Sequence, residues 1–292
     1  MHYLYLVSTV FLVSTSSIFG GFYNRKNAGK RDPSPLYNLI LCSSAFVGWV
    51  ILYLAFTPTF DIRVLPYSIG FGIGYALCQI GLINALRTGP IPLTNLFLQL
   101  ALIATTVWGF FFWNTQFSLL KGIALVLVVI SLWLCLYNGK TSKEGKDKVS
   151  LKWLFFALMA FVSNSCCAII QKTQQLKFDG KHGNFMMMCA VFFSAVFCLI
   201  VYLKSDKKDS REIFKTSFGF PMASGLCNVV HNLIVIILAT STIPSSLVYP
   251  VIAVGGLSVT SLFSLIVFKE KLKSWQWIGI AVGALAVVLL SI

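Results

Sequence analysis

Long, nearly uninterrupted apolar blocks separated by short polar breaks organise this chain, and ten of them can be drawn, near 3–22, 37–57, 66–86, 92–112, 119–138, 152–172, 185–203, 218–239, 245–268 and 275–291. About 20 apolar residues suffice to carry a helix across the hydrocarbon of a bilayer. Lipid satisfies no backbone polar group, so a spanning segment must bond within itself. Strands of a membrane barrel would alternate apolar and polar positions, which these blocks do not. The pattern predicts an all-α polytopic membrane protein of ten transmembrane helices. The connections Arg87 to Ile91 and Thr240 to Pro244 are short enough to make tight antiparallel hairpins of blocks 3 and 4 and of blocks 8 and 9.

The chain also repeats itself. Val13-Ser14-Thr15-Ser16 returns 149 residues later as Val162-Ser163-Asn164-Ser165, and Leu77-Cys78-Gln79 returns at the same offset as Leu226-Cys227-Asn228. A repeat of half the chain predicts two related bundles, residues 1–138 and 152–292, joined by a polar linker at 139–151. Five helices per repeat is an odd number, so the second bundle should enter the membrane in the opposite sense. Inverted repeats of this kind are common in transporters, whose solute site lies near the midplane between them.

Composition changes the picture in three ways. Hydrophobic residues make up 57% of the chain against 11% charged, with a mean hydropathy of +0.83, far outside the soluble range. The net charge of +14 sits in short loops rather than in one patch, which favours topology signals and anionic lipid head groups over nucleic acid as the partner. Odd-numbered connections hold 18 of the 23 Lys and Arg residues, and the other face holds Arg63, Lys121, Lys172, Lys177 and Lys181. Basic residues accumulate on the cytoplasmic side, so charge places both termini outside a plasma membrane. The oligomeric state is open.

Chemistry-bearing motifs are scarce. All eight cysteines fall inside apolar blocks without zinc-type spacing, so packing is expected of them rather than disulfides or metal. Gly70-Phe71-Gly72-Ile73-Gly74 fails as a dinucleotide loop because Tyr75 follows where a glycine is needed and the run lies within a block. Gly70 and Gly74, like Gly279 and Gly283, are spaced to let a neighbouring helix approach. No carboxylate pair, activated nucleophile or phosphate loop is visible. An enzyme is not expected, nor any cofactor or metal.

At Phe268-Lys269-Glu270-Lys271-Leu272-Lys273-Ser274-Trp275-Gln276-Trp277-Ile278-Gly279 the chain resembles the drug/metabolite transporter superfamily, specifically its EamA-like branch. There the last two helices are joined by a Glu, a Leu, a hydroxyl-bearing turn, a Gln and then a Gly. Glu270, Leu272, Ser274, Gln276 and Gly279 fill those places, and Ile243 to Pro250 resembles the start of the family's ninth helix. The first repeat departs from the pattern, with Asn114 near the Glu position and Gly122 at the later Gly. The resemblance implies ten helices in two inverted five-helix repeats, around a cavity lined mainly by helices 1, 3, 4, 6, 8 and 9. It also implies cytoplasmic termini, against the charge count.

Within those helices His231 is the conspicuous ionisable group, and Ser224, Asn228, His231 and Asn232 fall at three- and four-residue spacings that make one polar stripe. A stripe of this kind facing lipid is costly, so it should face a cavity or a neighbouring helix. Tyr75 and Gln79 lie four apart, and Gln79 is the repeat mate of Asn228. Thr15 is likewise the mate of Asn164. With Gln99, Ser245 and Tyr249 these residues form the expected solute set: His231, Asn228, Gln79, Asn164, Tyr75, Thr15, Gln99, Tyr249 and Ser245. The expected function is a secondary carrier of a small polar or amphipathic solute such as an amino acid. A flippase for a lipid-linked group and a non-transporting membrane sensor or scaffold are the alternatives.

Overall fold

A computed structural model of the chain describes the backbone of all residues except 1, 56–58, 114–117, 137–149, 240–244, 271 and 292. The side chains at 2–3, 102–103, 105–106, 132, 135–136, 236, 239, 245–250 and 290–291 also lie outside the description. The linker expected at 139–151 and the hairpin expected at 240–244 therefore fall almost wholly outside the described residues.

Helix dominates and no strand occurs among the described residues. In chain order the helices are α1 (His2–Lys26), α2 (Ser34–Ala55), α3 (Leu65–Thr88), α4 (Ile91–Gln99), α5 (Ala101–Phe112), α6 (Leu119–Leu136), α7 (Leu151–Lys177), α8 (Gly183–Lys204), α9 (Ser210–Ser217), α10 (Gly219–Ala239), α11 (Ser245–Ile266) and α12 (Ser274–Ser291). A 3₁₀ turn at Ile62–Val64 leads into α3. Five of these segments are long and apolar enough to cross a membrane, with a sixth if α9 and α10 are taken as one bent span. Large apolar side chains such as Phe11, Ile51, Val129 and Ile266 stand on the outer surface. In water that area would be an aggregation surface, whereas lipid tails solvate it.

One apolar block is not a single helix, and another is preceded by a short helix that the block pattern does not show. The block at 92–112 divides at Leu100, where ψ opens to −10° and the N–H is shared between the Leu96 and Leu98 carbonyls, giving α4 and α5. The block at 218–239 is preceded by α9, set at 61° to α10. The basic connection there reads as a polar loop, because a helix of 8 residues with two consecutive apolar positions, Ile213 and Phe214, leaves too short a period to detect. Ile213 and Ser217 are buried, and docking them holds α9 in place.

Small residues set the closest packing. Helix α3 lies against α7 and α8, α1 against α10 and α11, α2 against α8 and α10, and α6 against α12. A Cβ at Gly72 would sit 2.5 Å from the Ala190 carbonyl oxygen, and one at Gly74 would sit 2.9 Å from Cys167 Sγ, so both glycines are where backbones or side chains of neighbouring helices approach α3. Ser194 Oγ donates to the Gly72 carbonyl at 2.8 Å, and Ser131 Oγ donates to the Gly279 carbonyl at 2.7 Å. The Cys42 and Cys198 thiols meet at 3.7 Å between α2 and α8 as free cysteines. Trp153, fully buried in α7, donates Nε1–H to Thr94 Oγ1 at 2.9 Å and meets Phe97 edge-on, tying α7 to α4.

One end of the bundle is laced by polar contacts. Arg25 at the end of α1 bonds Glu270 at 3.3 Å and the Phe268 carbonyl at 3.0 Å, and its guanidinium covers the Phe268 ring. Lys30 pairs with Glu212, Arg31 with Asp206, and the Arg31 N–H bonds Asp209. Asn27 bonds Ser217, and Arg87 reaches the Lys30 carbonyl. These contacts join the α1–α2 turn to α9 and to the end of α11.

Candidate functional site

Six helices converge on a cavity of about 280 Å³. Helix α1 lines it with Leu12, Val13, Ser16 and Ser17, and α3 with Phe71, Tyr75, Cys78, Gln79 and Leu82. Asn95, Leu98 and Gln99 come from α4, and Asn164, Cys167, Ala168 and Gln171 from α7. Helix α8 adds Met187 and Val191, and α10 adds Asn228, His231 and Asn232. The Tyr75, Gln79 and Phe71 positions follow from the α-helical period: residues 71, 75, 78, 79 and 82 recur at three- and four-residue steps and share one face. Residues 228, 231 and 232 do the same on α10.

Of the nine residues expected from sequence, the cavity gathers His231, Asn228, Gln79, Asn164, Tyr75 and Gln99. Thr15 is not among them. Its neighbours Ser16 and Ser17 face the cavity, while the Thr15 hydroxyl is spent on the Leu12 carbonyl at 2.6 Å. Consecutive helical residues point about 100° apart, so the repeat mate of a lining residue need not itself line the wall. The side chains of Tyr249 and Ser245 lie outside the described residues. Ser224 extends the α10 stripe but bonds Ser16 Oγ at 3.3 Å, which makes it a helix-to-helix contact.

Several lining groups are already committed to structure. Ser17 donates to Asn95 Oδ1, while Asn95 Nδ2 returns to the Ile91 carbonyl at 3.2 Å. Asn232 Nδ2 donates to the Asn228 backbone carbonyl at 2.8 Å and to Asn228 Oδ1 at 3.1 Å. Asn164 Nδ2 donates to the Leu98 carbonyl at 3.2 Å, across the break between α4 and α5. That bond gives the Leu98 carbonyl a second donor beside the Leu100 N–H and ties α7 to the break.

Other groups have no such partner. The Tyr75 hydroxyl and His231 Nδ1 are buried and make no hydrogen bond among the described residues. Buried polar groups ordinarily find a partner; both residues line the cavity, but these two atoms are themselves shut off from a water-sized contact. Met187 and Val191 carry no signal in the sequence, being apolar side chains in an apolar helix, which no pattern distinguishes from packing. Gln171 is legible there as the residue seven after Asn164 on the same face, with a solute contact and an interhelical hydrogen bond both open to it.

A second recess of about 230 Å³ is lined by Thr59, Gln174, Gln175, Gly180, His182, Gly183, Asn184 and Met186. It shares Gln171 and Met187 with the central cavity. The central cavity thus adjoins the end of the bundle where α7 passes into α8, opposite to the end closed by Arg25 and Glu270. Beside this recess Asp61 receives the Arg63 side chain, at 2.7 and 3.1 Å, and the Arg63 backbone N–H at 2.9 Å. Those bonds hold its carboxyl down at about 2. Among the described residues no group of three His, Cys, Asp or Glu side chains could hold a metal ion.

Neither the protein-family models nor the curated proteins include a match to this chain. Among solved structures, one described only as "Crystal structure of protein" is similar over 97% of this chain and 96% of its own, with a TM-score of 0.59 at 10% identity. At that identity the likeness is one of fold: the whole chain follows a path that another protein also takes.

Proposed function

We propose that this chain is a secondary membrane carrier that moves a small polar or amphipathic solute by alternating access. The observation that carries the reading is the central cavity, placed between helices from both halves of the chain and lined by amides, hydroxyls and one imidazole. Polar groups at that depth are costly unless they serve a ligand, water or one another.

The packing supports the repeat reading. Adding 149 residues maps α1 onto α7, α3 onto α10 and α6 onto α12, and the contacts α3 with α7 and α1 with α10 exchange under that mapping. Ten spans in two inverted five-helix bundles, of the EamA-like kind, account for this arrangement. On that reading α4 with α5, α6, α11 and α12 complete the spans. The laced end carries the basic connections and faces the cytoplasm. The conformation described is then closed there and accessible from the opposite face through the second recess.

Purified protein reconstituted in liposomes should show counterflow, in which a preloaded solute drives uptake of its labelled form without ATP. Gln79→Ala and His231→Ala should each lower the rate, with folding checked by thermal denaturation. A cognate solute at about 100 times its Kd should add roughly 2.7 kcal/mol to the stability of the folded state. Absence of counterflow across amino acids, sugars, heterocycles and lipid head groups would overturn the reading, whether or not one of them stabilises the fold.

A further inference from the structure

Resting on the carrier reading, we infer that the central cavity selects an uncharged, planar heterocycle bearing an amide or amidine edge, of the nucleobase type. Three properties of the wall point there. The first is charge: among the described residues no Asp, Glu, Lys or Arg lines the cavity. An ion moved from water into such a site without a counter-charge meets a large desolvation cost, so anions, cations and charged amino acids are poorly matched.

The second is hydrogen-bond geometry. Gln99 and Gln171 make no hydrogen bond among the described residues, and the same holds for Asn228 Nδ2 and Asn164 Oδ1. A primary amide offers one donor and one acceptor side by side in a plane. That is the edge which pairs with a ring nitrogen and its neighbouring amino group, as when Asn or Gln reads adenine. Gln99 and Gln171, with the Asn228 donor and the Asn164 acceptor, let the wall both give and take hydrogen bonds.

The third is shape. Phe71 and Tyr75 both line the cavity, with ring centroids 6.2 Å apart and planes 16° from parallel, so α3 brings two near-parallel aromatic side chains to the wall. Met187 of α8 adds a flexible apolar surface. A flat ring gains stacking contact on such a wall, whereas a sugar or an aliphatic amino acid has no comparable flat face.

The test is equilibrium binding to the full chain in lipid nanodiscs, using tritiated adenine and uracil, with benzoate, glutamate, lysine and glucose as comparison probes. Saturable binding of adenine or uracil that the comparison probes fail to displace is expected. Gln171→Ala and Gln99→Ala should each weaken it about tenfold or more, in line with the loss of one bidentate pair. Each variant should elute as a single folded species, and Gln171→Glu provides a substitution of the same size that replaces the donor by a charge. Tighter binding of benzoate, glutamate, lysine or glucose would overturn the inference, as would no saturable binding of either heterocycle. Counterflow separates this from the carrier reading: a charged solute transported by the protein would keep the carrier and remove the heterocycle, and heterocycle binding without counterflow would do the reverse.

Discussion

Glu270 Oε2 accepts the backbone N–H of Ile91 at 3.0 Å, joining the turn after α11 to the first residue of α4 across 179 positions. The same oxygen accepts from Ser264 Oγ at 2.7 Å, and Oε1 takes Arg25. Pro92 has no N–H and Thr94 N–H returns to the Pro90 carbonyl, so the Ile91 N–H is a buried donor at a helix start with no acceptor inside its own helix. A carboxylate there is favoured by the partial positive charge of the helix end. Glu270→Ala should therefore lower stability by about 1–2 kcal/mol, read by thermal denaturation in detergent. Glu270→Gln should cost less, because the amide oxygen can still accept. Equal losses for the two would show that the cap is not the source.

Gly72→Val should loosen α3 from α8. The added side chain meets the Ala190 carbonyl oxygen and the Phe193 Cβ, neither of which can rotate away. Overpacking of this kind costs about 1–3 kcal/mol. A lowered Tm, with the protein still monodisperse, is the expected result. Gly29→Ala offers the contrast, since no atom lies near its Cβ and the penalty there comes from its φ of +86°.

Lys269 sits at φ 53°, in the left-handed region that favours glycine, where the chain leaves α11 and Glu270 N–H returns to the Ser264 carbonyl. Left-handed backbone costs a side chain with a Cβ about 1–2 kcal/mol. Glycine relieves that strain but loses more chain entropy on folding. Lys269→Gly should come out stabilising by about 0.5–1 kcal/mol. A drop in Tm would mean that the lysine side chain contributes a contact outweighing the strain.

Asp61 gives a pH prediction. Its folded carboxyl is held at about 2, first by the Arg63 side-chain hydrogen bond and then by the Arg63 backbone N–H. An Asp in an unfolded chain titrates near 3.9. A depressed folded value means the contribution is fully present above about pH 4 and is lost as pH falls toward about 2. Carboxyl carbon NMR on selectively labelled protein should find a midpoint near 2 for Asp61, moving toward the ordinary value in Arg63→Ala. No change between pH 5 and 8 should trace to this group.

The apolar blocks alone determined that the chain is helical and where most helices run, because bilayer thickness and the backbone's demand for internal hydrogen bonds leave few other solutions. Helical spacing put Asn228 with His231 and Tyr75 with Gln79 on shared faces, the 149-residue repeat picked out Gln79 and Asn164, and the helices that the family resemblance sets around a cavity brought in Gln99. Three things were decided only by the tertiary structure. The break at Leu100 and the 61° bend before α10 depend on packing that no local pattern encodes. The loss of Thr15 from the wall depends on the rotation of α1 about its own axis, which its neighbours fix. The cap of α4 by Glu270 depends on a residue 179 positions away, and no local period can register a partner that reaches the helix end only when the bundle closes.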